Sequence, residues 1–324
     1  PYGEVCNGGY TYFAEGDFII AKITPCMENG KCAIAEGLTN GIGFGSSEFH
    51  TFRCHASEIL TKFLFLLLNQ TTVRKAAEDA MTGASGHRRV PAAFYEEMLI
   101  PVPPIPVQQQ VIDECAKIDE EYNATRMSIE TYRQKTADLF AELDAVMSTT
   151  EGNRLSLSDT EKFSVAIGKR VLDKEVASNG TIPVYSANVT SPFGFIDKLL
   201  ITDFSVPSVL WGIDGDWMTS YLPSDMPFYP TDHCGVLRCK NSEVNPRYLA
   251  HILEVEGRKM GFSRSYRASI DRVHGIAFTV PDISIQNNAM SKVADYEMAI
   301  KELEGSLEKV ASRRSEIIRK ALAE

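Results

Sequence analysis

The sequence predicts an α+β protein with two mixed globular domains and two long helices that pair as an antiparallel coiled coil, arranged as a pseudo-twofold repeat. Three observations predict it: short motifs occur twice, each copy precedes a proline-rich segment, and each such segment leads into a long heptad pattern. The 324 residues suffice for two domains of ordinary size. The expected boundaries are 1–106 for the first domain, 107–148 for the first helix, 149–284 for the second domain and 285–324 for the second helix.

The internal repeat is distant but keeps its order along the chain. Phe52-Arg53-Cys54 aligns with Leu237-Arg238-Cys239 at an offset of 185 residues, and the proline-rich segment at Val102 aligns with that at Val280 at an offset of 178. Loops of different length account for the change in offset. The stretch from Leu155 to Tyr185 of the second copy would map before the start of the sequence, so we expect the first domain to lack its opening.

Heptad spacing predicts the two long helices. Hydrophobic positions step by four and three from Val111 to Val146 and again from Ala289 to Ala321. Spacing sustained over this length is typical of a coiled-coil seam, and an amphipathic helix lying on a globular core is the alternative. A helix from Val111 to Met147 has 37 residues, which corresponds to a length of about 55 Å.

The globular domains have mixed patterns. Short β-rich runs such as Phe18–Ile23 and Ser208–Trp211 are separated by Gly, Pro and Asn turns. One or two helices follow in each domain, and the clearest helical pattern lies between Glu58 and Met81. These patterns predict strands and helices in both domains.

Composition excludes several classes of protein. The net charge of −10, from 33 basic and 43 acidic residues, argues against a uniform basic surface that coats nucleic acid, so such a partner would require a local patch. The longest apolar run, Phe63–Leu68, has six residues, whereas a membrane-spanning helix needs about 20. No signal-peptide pattern opens the sequence, and its seven cysteines form no CxxC pair. We therefore expect a reduced, cytoplasmic protein without membrane contact.

No catalytic or metal-binding constellation is predicted. The chain contains neither a phosphate-binding GxxxxGK[ST] loop nor a GxGxxG element between strand and helix. Asp214 and Asp216 are explained by a turn, and the cysteines and His233 by buried thiols and a hydrogen-bonded histidine, because no second ligand pair lies at zinc spacing. Asn245-Pro246-Arg247-Tyr248 resembles the Asn-Pro-Pro-aromatic loop of amino-methyltransferases, but a helix start with Pro in its first turn is favoured.

Positive charge is concentrated in equivalent places of the two copies. The stretch 258–274 carries five basic residues against Asp271 alone, and the equivalent part of the first copy has basic residues beside the Gly/Ser segment 82–86. Lysine and arginine neutralise phosphates, and arginine can place two donors on a guanine edge. A solvated basic loop is the alternative, but Arg89 matches Arg267 in the repeat, which favours a function in DNA binding. The candidate contacts are Lys22, Lys31, Arg88 and Arg89 in the first domain and Lys169, Arg170, Ser186, Asn188, Lys259, Arg264, Tyr266 and Arg267 in the second.

Ordered motifs give the chain a resemblance to a known family. In the second domain these are Ile182–Asn188, Gly194–Asp197 and Ser208–Gly215 followed by Thr231-Asp232-His233; in the first they are Ala21–Lys31, Met81–Pro91 and the junction Ile100–Gln109. They resemble the target recognition domains and proline-rich junction of specificity subunits of type I restriction-modification enzymes. The second junction departs from the family pattern, because it lacks the double proline.

The resemblance implies a DNA-binding specificity subunit that reads a split sequence, with the helices fixing the gap between the two parts. It implies no catalysis and no cofactor in this chain. The implied partners are double-stranded DNA, two DNA methyltransferase subunits that modify adenine with S-adenosylmethionine, and a translocating restriction subunit that uses ATP. Two alternatives remain: the carboxy-terminal recognition region of a fused methyltransferase or restriction enzyme, and a coiled-coil scaffold without a DNA role, which the net acidity favours.

Overall fold

The computed structural model describes residues 9–55, 57–84, 86–149, 152–172, 175–176 and 180–322, except for the side chains of residues 147–149 and 311. The chain divides into two compact units: the first unit is Pro1–Ile129 with Glu302–Glu324, and the second unit is Glu130–Lys301. Each unit therefore contains one globular domain and one portion of each long helix. Over the residues that the structure covers, no helix is both long enough and apolar enough to cross a membrane.

The first domain combines short strands with three helices. The bounds are β1 (Thr11–Ala14), β2 (Phe18–Ala21), β3 (Cys32–Ile34), β4 (Ile42–Gly45), β5 (Phe49–Phe52), α1 (Thr61–Leu68), α2 (Thr71–Asp79) and α3 (Ala92–Glu96). Strands β3, β2 and β5 form one antiparallel sheet in that order, and β1 pairs with β4 in a two-stranded ribbon. The 3₁₀ turn Thr39–Gly41 precedes β4.

Helix α1 supplies much of the first domain's core. It reads Thr-Lys-Phe-Leu-Phe-Leu-Leu-Leu, which is apolar around most of its circumference, as expected for a helix covered on several sides. Leu64 and Leu68 pack with Phe18 and Ile20 of β2. The helical pattern predicted between Glu58 and Met81 is confirmed as two helices.

The second domain is built on a four-stranded antiparallel sheet. The elements from the first long helix onward are α4 (Ile105–Thr149), β6 (Asn153–Ser156), β7 (Phe163–Ile167), β8 (Ile182–Tyr185), β9 (Gly194–Ile196), β10 (Ser208–Gly212), β11 (Thr219–Leu222), β12 (Tyr229–Pro230), β13 (Cys234–Cys239), α5 (Pro246–Lys259), α6 (Ile270–His274), β14 (Ala277–Val280) and α7 (Ile283–Ala321). The four strands of the sheet lie in the order β11-β10-β13-β7, beside a three-stranded sheet β12-β8-β9 and a pair β14-β6.

Strand β10 lies at the centre of this domain. It is buried at all five positions, because it has a strand on each side and packing on both faces. Trp211 is fully buried, and its indole Nε1–H donates to the carbonyl of Ala268 at 2.9 Å. Helix α5 begins after Asn245, whose side chain accepts from the backbone N–H of Arg247 at 2.9 Å, with Pro246 in the first turn. The favoured explanation of this motif as a helix start is confirmed.

The repeat is visible in strand pairing. Leu237 of β13 pairs with Val209 of β10, and the equivalent Phe52 of β5 pairs with Phe18 of β2, so β5 corresponds to β13 and β2 to β10. On its other edge β13 pairs with β7, whereas within the described part of the first domain no strand pairs with that edge of β5. That the first domain lacks its opening segment stays a prediction. Residues 1–8 lie outside the described residues.

The long helices α4 and α7 have 45 and 39 residues. In the first unit Arg313 pairs with Glu121 at 2.9 Å, and Ile318 packs with Val111 and Cys115. In the second unit the rings of Tyr132 and Tyr296 lie 5.5 Å apart, and Leu143 belongs to the same core as Ala289. Within each unit the residue numbers of α7 fall as those of α4 rise, so the helices run antiparallel. The predicted α+β class is thereby confirmed.

Two buried glutamines connect the long helices to their domains. Gln108 and Gln286 are equivalent at an offset of 178, and both are fully buried. The amide of Gln286 accepts from the Asn245 N–H and donates to the carbonyls of Glu243 and Pro281. Gln108 makes the same three kinds of bond, with Leu60, Glu58 and Pro103. Each glutamine therefore joins the first turn of a long helix to the segment before α1 or α5 of its domain, and also bonds to the residue two positions before the long helix.

Candidate nucleic-acid interface

Four loops of the second domain meet at one edge of its sheets, which we call the loop edge: residues 168–170, 186–188, 213–214 and 231–233, joined by the loop 263–267. Backbone bonds hold it together, with the Lys169 N–H donating to Pro230 at 3.1 Å and the Ile213 N–H to His233 at 3.0 Å. The loop 263–267 is fixed through the neighbouring Ala268 N–H, which donates to Ile213 at 3.2 Å. The loop edge is therefore a defined surface rather than a set of separate loops.

Glycines permit the close approach of these loops. A Cβ atom on Gly168 would lie 1.9 Å from the carbonyl oxygen of Pro230, and one on Gly212 would lie 2.2 Å from that of Ala187. Both contacts are with backbone atoms, which cannot rotate away as a side chain can. The loop edge is thus compatible only with glycine at these two positions.

Arg267 forms the centre of the loop edge with Asp214 and His233. Its Nη2 donates to Asp214 Oδ2 at 2.9 Å, and its Nε contacts Oδ1 of the same carboxylate. The Nδ1 atom of His233 also hydrogen-bonds to Asp214 Oδ2. The side chains of Arg267 and His233 are 58% and 49% exposed, so both can reach a ligand. The predicted hydrogen-bonded histidine is confirmed, although it lies at a surface.

Tyr266 is presented beside this group. Its ring is exposed and stacks on Phe262, with 5.8 Å between centroids, while the guanidinium of Arg272 lies 3.9 Å from the Tyr266 ring centroid. Arg272 Nη1 also donates to the carbonyl of Arg267 at 2.7 Å. Arg272 was not among the predicted DNA contacts. The only sequence signal for it was its position in the basic stretch 258–274.

The remaining candidates of the second domain are used differently. Lys169, Arg170 and Arg264 are exposed at the loop edge. Ser186 accepts a bond from Thr231 Oγ1 at 3.1 Å, and Asn188 closes a turn by accepting from the Thr190 N–H at 2.9 Å.

Lys259 is not brought to the loop edge. It pairs with Glu256 at 2.7 Å on α5 and lines a cavity of 550 Å³ beside Phe278 of β14. Lys259 therefore lies apart from the other candidates of this domain, and its contact with DNA stays a prediction.

The first domain has an equivalent group around Arg89. Its Nε and Nη2 donate to the two carboxylate oxygens of Glu48 at 2.9 and 2.7 Å, and its Nη1 donates to the His87 carbonyl at 2.7 Å. Hydrogen bonding from Arg89 holds the pKa of Glu48 below its usual value, and the charge of Lys22 lowers it further. Lys22 follows β2 directly, and its N–H donates to the Glu48 carbonyl at 2.9 Å.

Arg88 and Lys31 lie outside this group. Arg88 Nη2 donates to the carbonyls of Glu78 and Met81 at 2.7 and 3.4 Å, which closes the end of α2. Lys31 is exposed next to β3. Ser85, part of the Gly/Ser segment, lies outside the described residues.

The exposed side chains of the loop edge are suited to binding a ligand. Among the described residues, no three or more His, Cys, Asp or Glu side chains are grouped so that they could hold a metal ion. Burial raises the pKa of the Cys234 thiol to about 12, so this cysteine stays protonated at neutral pH. Exposed arginines, an aromatic ring and loop hydroxyls are the groups with which proteins contact DNA.

Comparisons with known proteins give matches in sequence and in fold. Residues 161–310 match the family described as "Type I restriction modification DNA specificity domain". The chain is 40% identical over 139 residues to the specificity subunit of the type I restriction enzyme EcoAI and 36% identical over 146 residues to that of EcoEI, both from Escherichia coli. These alignments cover 42% and 44% of this chain and 24% of each relative, so the chain matches about a quarter of their length.

Solved structures share the fold. The type I restriction-modification S subunit of M. genitalium matches with a TM-score of 0.61 and 15% identity over 96% of this chain and 84% of that one. A chain from a structure described as showing complex assembly and conformational transition of the type I R-M system matches with a TM-score of 0.57 and 15% identity, over 96% and 83%. The chain thus has the fold of type I specificity subunits. Together with the matches in sequence, this confirms its resemblance to the type I restriction-modification specificity subunits.

Proposed function

We propose that this chain is the DNA-binding specificity subunit of a type I restriction-modification system and that each domain reads one part of a bipartite sequence. The observation that carries the proposal is the equivalence of Arg89 and Arg267. Both side chains are partly exposed, and both follow a loop with basic neighbours. Arg89 lies beside the end of β2, and Arg267 lies beside the end of β10. A duplicated reading group in one chain fits a target with two separate parts.

Local charge supports DNA as the ligand despite the net charge of −10. The acidity is greatest in residues 107–151, with 4 basic and 10 acidic side chains. The loop edge instead displays the four basic residues Lys169, Arg170, Arg264 and Arg267 against Asp214 and Asp232. A local basic surface is sufficient for phosphate contacts, because electrostatic attraction between exposed charges is screened beyond about 10 Å at 0.1 M salt. A chain of negative net charge can therefore bind DNA through a local basic surface.

The catalytic steps belong to partners in this proposal. Two methyltransferase subunits would modify adenine with S-adenosylmethionine, and a restriction subunit would translocate DNA with ATP in the cytoplasm. This chain would bind neither cofactor. The six cysteines in the described part of the chain are free, which fits a reducing compartment.

Methylation sequencing tests the proposal. DNA is compared from cells that express this chain with its neighbouring methyltransferase, from cells that lack only this chain and from cells that express this protein without the methyltransferase. Modified adenines confined to a split motif with a fixed gap, and lost without this chain, would support a specificity subunit. Methylation that is unchanged by its removal would refute it in favour of a scaffold, and methylation by this protein alone would favour a fused enzyme.

Substitution of Arg267 by alanine separates two modes of contact. If Arg267 reads a base, we expect a loss of about 1–3 kcal/mol in binding to the motif and relaxed specificity at one position. A phosphate contact would weaken all sequences alike and reduce the slope of log affinity against log salt by about 1. Binding titrations at several salt concentrations measure both quantities. Affinity and slope equal to the wild-type values would remove Arg267 from the interface.

A further inference from the structure

The reading arginine of each domain is held by a carboxylate. Arg89 donates two hydrogen bonds to Glu48, and Arg267 approaches Asp214 through the same two nitrogens, Nε and Nη2. The two carboxylates do not occupy equivalent positions in the repeat, because Glu48 precedes β5 and Asp214 follows β10. The same arrangement is therefore reached in both domains by different residues.

Folding does not account for these pairs. The arginine side chains are 41% and 58% exposed, and ion pairs at exposed sites contribute only about 0–1 kcal/mol to stability. A carboxylate on a surface that receives DNA also repels phosphates. Both pairs thus weaken general attraction to DNA and add little to the folded state.

A carboxylate in this position changes what the arginine can bind. It neutralises the guanidinium charge, so the pair offers little to a phosphate, whose attraction is mainly electrostatic. It also fixes the planar group and leaves the N–H groups of Nη1 directed away from the carboxylate. Nη1 of Arg267 has no bond to another described residue, whereas Nη1 of Arg89 donates one of its two N–H groups to the His87 carbonyl and keeps the other. Directional bonding to a guanine edge depends on such fixed donors.

We propose that Glu48 and Asp214 are positioning residues for specificity: they direct Arg89 and Arg267 to base edges and suppress their binding to phosphates. This inference rests on the proposed function. Each carboxylate has a second neighbour besides its arginine. The positive charge of Lys22 lies near Glu48, and Nδ1 of His233 hydrogen-bonds to Asp214.

The test uses the full chain in complex with its methyltransferase subunits. Affinity is measured for a duplex that carries the motif found by methylation sequencing and for a scrambled duplex of the same composition. The variants are Glu48→Gln and Asp214→Asn, with Glu161→Gln as the control, because Glu161 is exposed at the opposite end of β7 from the loop edge. All three remove one negative charge.

For Glu48→Gln and Asp214→Asn we expect affinity for the scrambled duplex to rise by about threefold to tenfold, with a salt slope steeper by about 1, while affinity for the motif changes less. Discrimination between the duplexes falls accordingly, and Glu161→Gln keeps it. In an Arg267→Gln background, Asp214→Asn should no longer alter discrimination, because the carboxylate acts through the arginine.

Two results would overturn the inference while leaving the proposed function intact. One is an Asp214→Asn complex that discriminates like the Glu161→Gln complex. The other is an equal loss of affinity for both duplexes, which would indicate a purely structural pair. A wild-type complex that does not distinguish the motif from the scrambled duplex would instead refute the proposed function itself.

Discussion

Replacing Gln286 with leucine is expected to lower the free energy of unfolding of the second unit by about 3–5 kcal/mol. The fully buried amide accepts from the Asn245 N–H at 2.9 Å and donates to the carbonyls of Glu243 and Pro281 at 3.0 and 2.7 Å. Leucine is similar in size but leaves all three backbone groups without a partner. Each unpaired group costs about 1–3 kcal/mol when it is buried away from water.

Urea denaturation followed by tryptophan fluorescence measures this effect. Both tryptophans of the chain, Trp211 and Trp217, lie in the second unit, so the signal reports on the domain that Gln286 supports. The matched control is Asn288→Leu, because Asn288 is an exposed amide two positions along the same helix and lies in the unit on which the signal reports. The control should stay within about 0.5 kcal/mol of wild type. Equal midpoints for the two variants would contradict the role assigned to Gln286.

Gln286 also marks what a sequence can and cannot predict. The repeat aligns it with Gln108, but Gln108, Gln109 and Gln110 are consecutive and chemically identical. Only Gln108 is buried, because it lies on the side of the first turn that faces the segment before α1. Glutamine is usually exposed, so neither composition nor periodicity identifies the member of the three that fixes the junction.

The long helices were the most predictable elements. Their heptad spacing places Val111, Cys115 and Ile118 on one side, and all three are buried, as are Val293 and Val310 on α7. A pattern that repeats over many turns averages out single exceptions. Strand β10 was predictable for a related reason, since an apolar run bounded by turns is typical of a central strand.

The site was predictable only in part, because charge partners come from distant parts of the sequence. Glu48 lies 41 residues from Arg89, and Asp214 lies 53 residues from Arg267. Arg88 and Arg89 have the same chemistry and adjacent positions, yet one bonds to the end of α2 and the other to Glu48. Successive side chains of an extended segment point to opposite sides. A count of basic residues cannot separate these two roles.

Substitution of Gly168 by alanine is expected to disrupt the loop edge. The new Cβ would lie 1.9 Å from the Pro230 carbonyl oxygen and 2.6 Å from that of Thr231, so the loop that carries His233 has to move away from Lys169. Overpacking of this kind costs about 1–3 kcal/mol in stability. We further expect affinity for the motif duplex to fall at least about tenfold, because the displaced loops can no longer place their side chains on the DNA at the same time.

Gly305→Ala is the matched control for this change. Gly305 lies within α7, and a Cβ atom there would have open space around it, so alanine should stabilise the chain by about 0.5–1 kcal/mol through helix propensity and leave DNA binding unchanged. Calorimetry and binding titration of both variants give stability and affinity separately. A Gly168→Ala complex that is destabilised yet binds the motif with wild-type affinity would mean that the DNA-binding surface lies elsewhere. Loss of binding at a temperature where the variant is still folded would tie recognition to the geometry of these loops, because every basic side chain is retained.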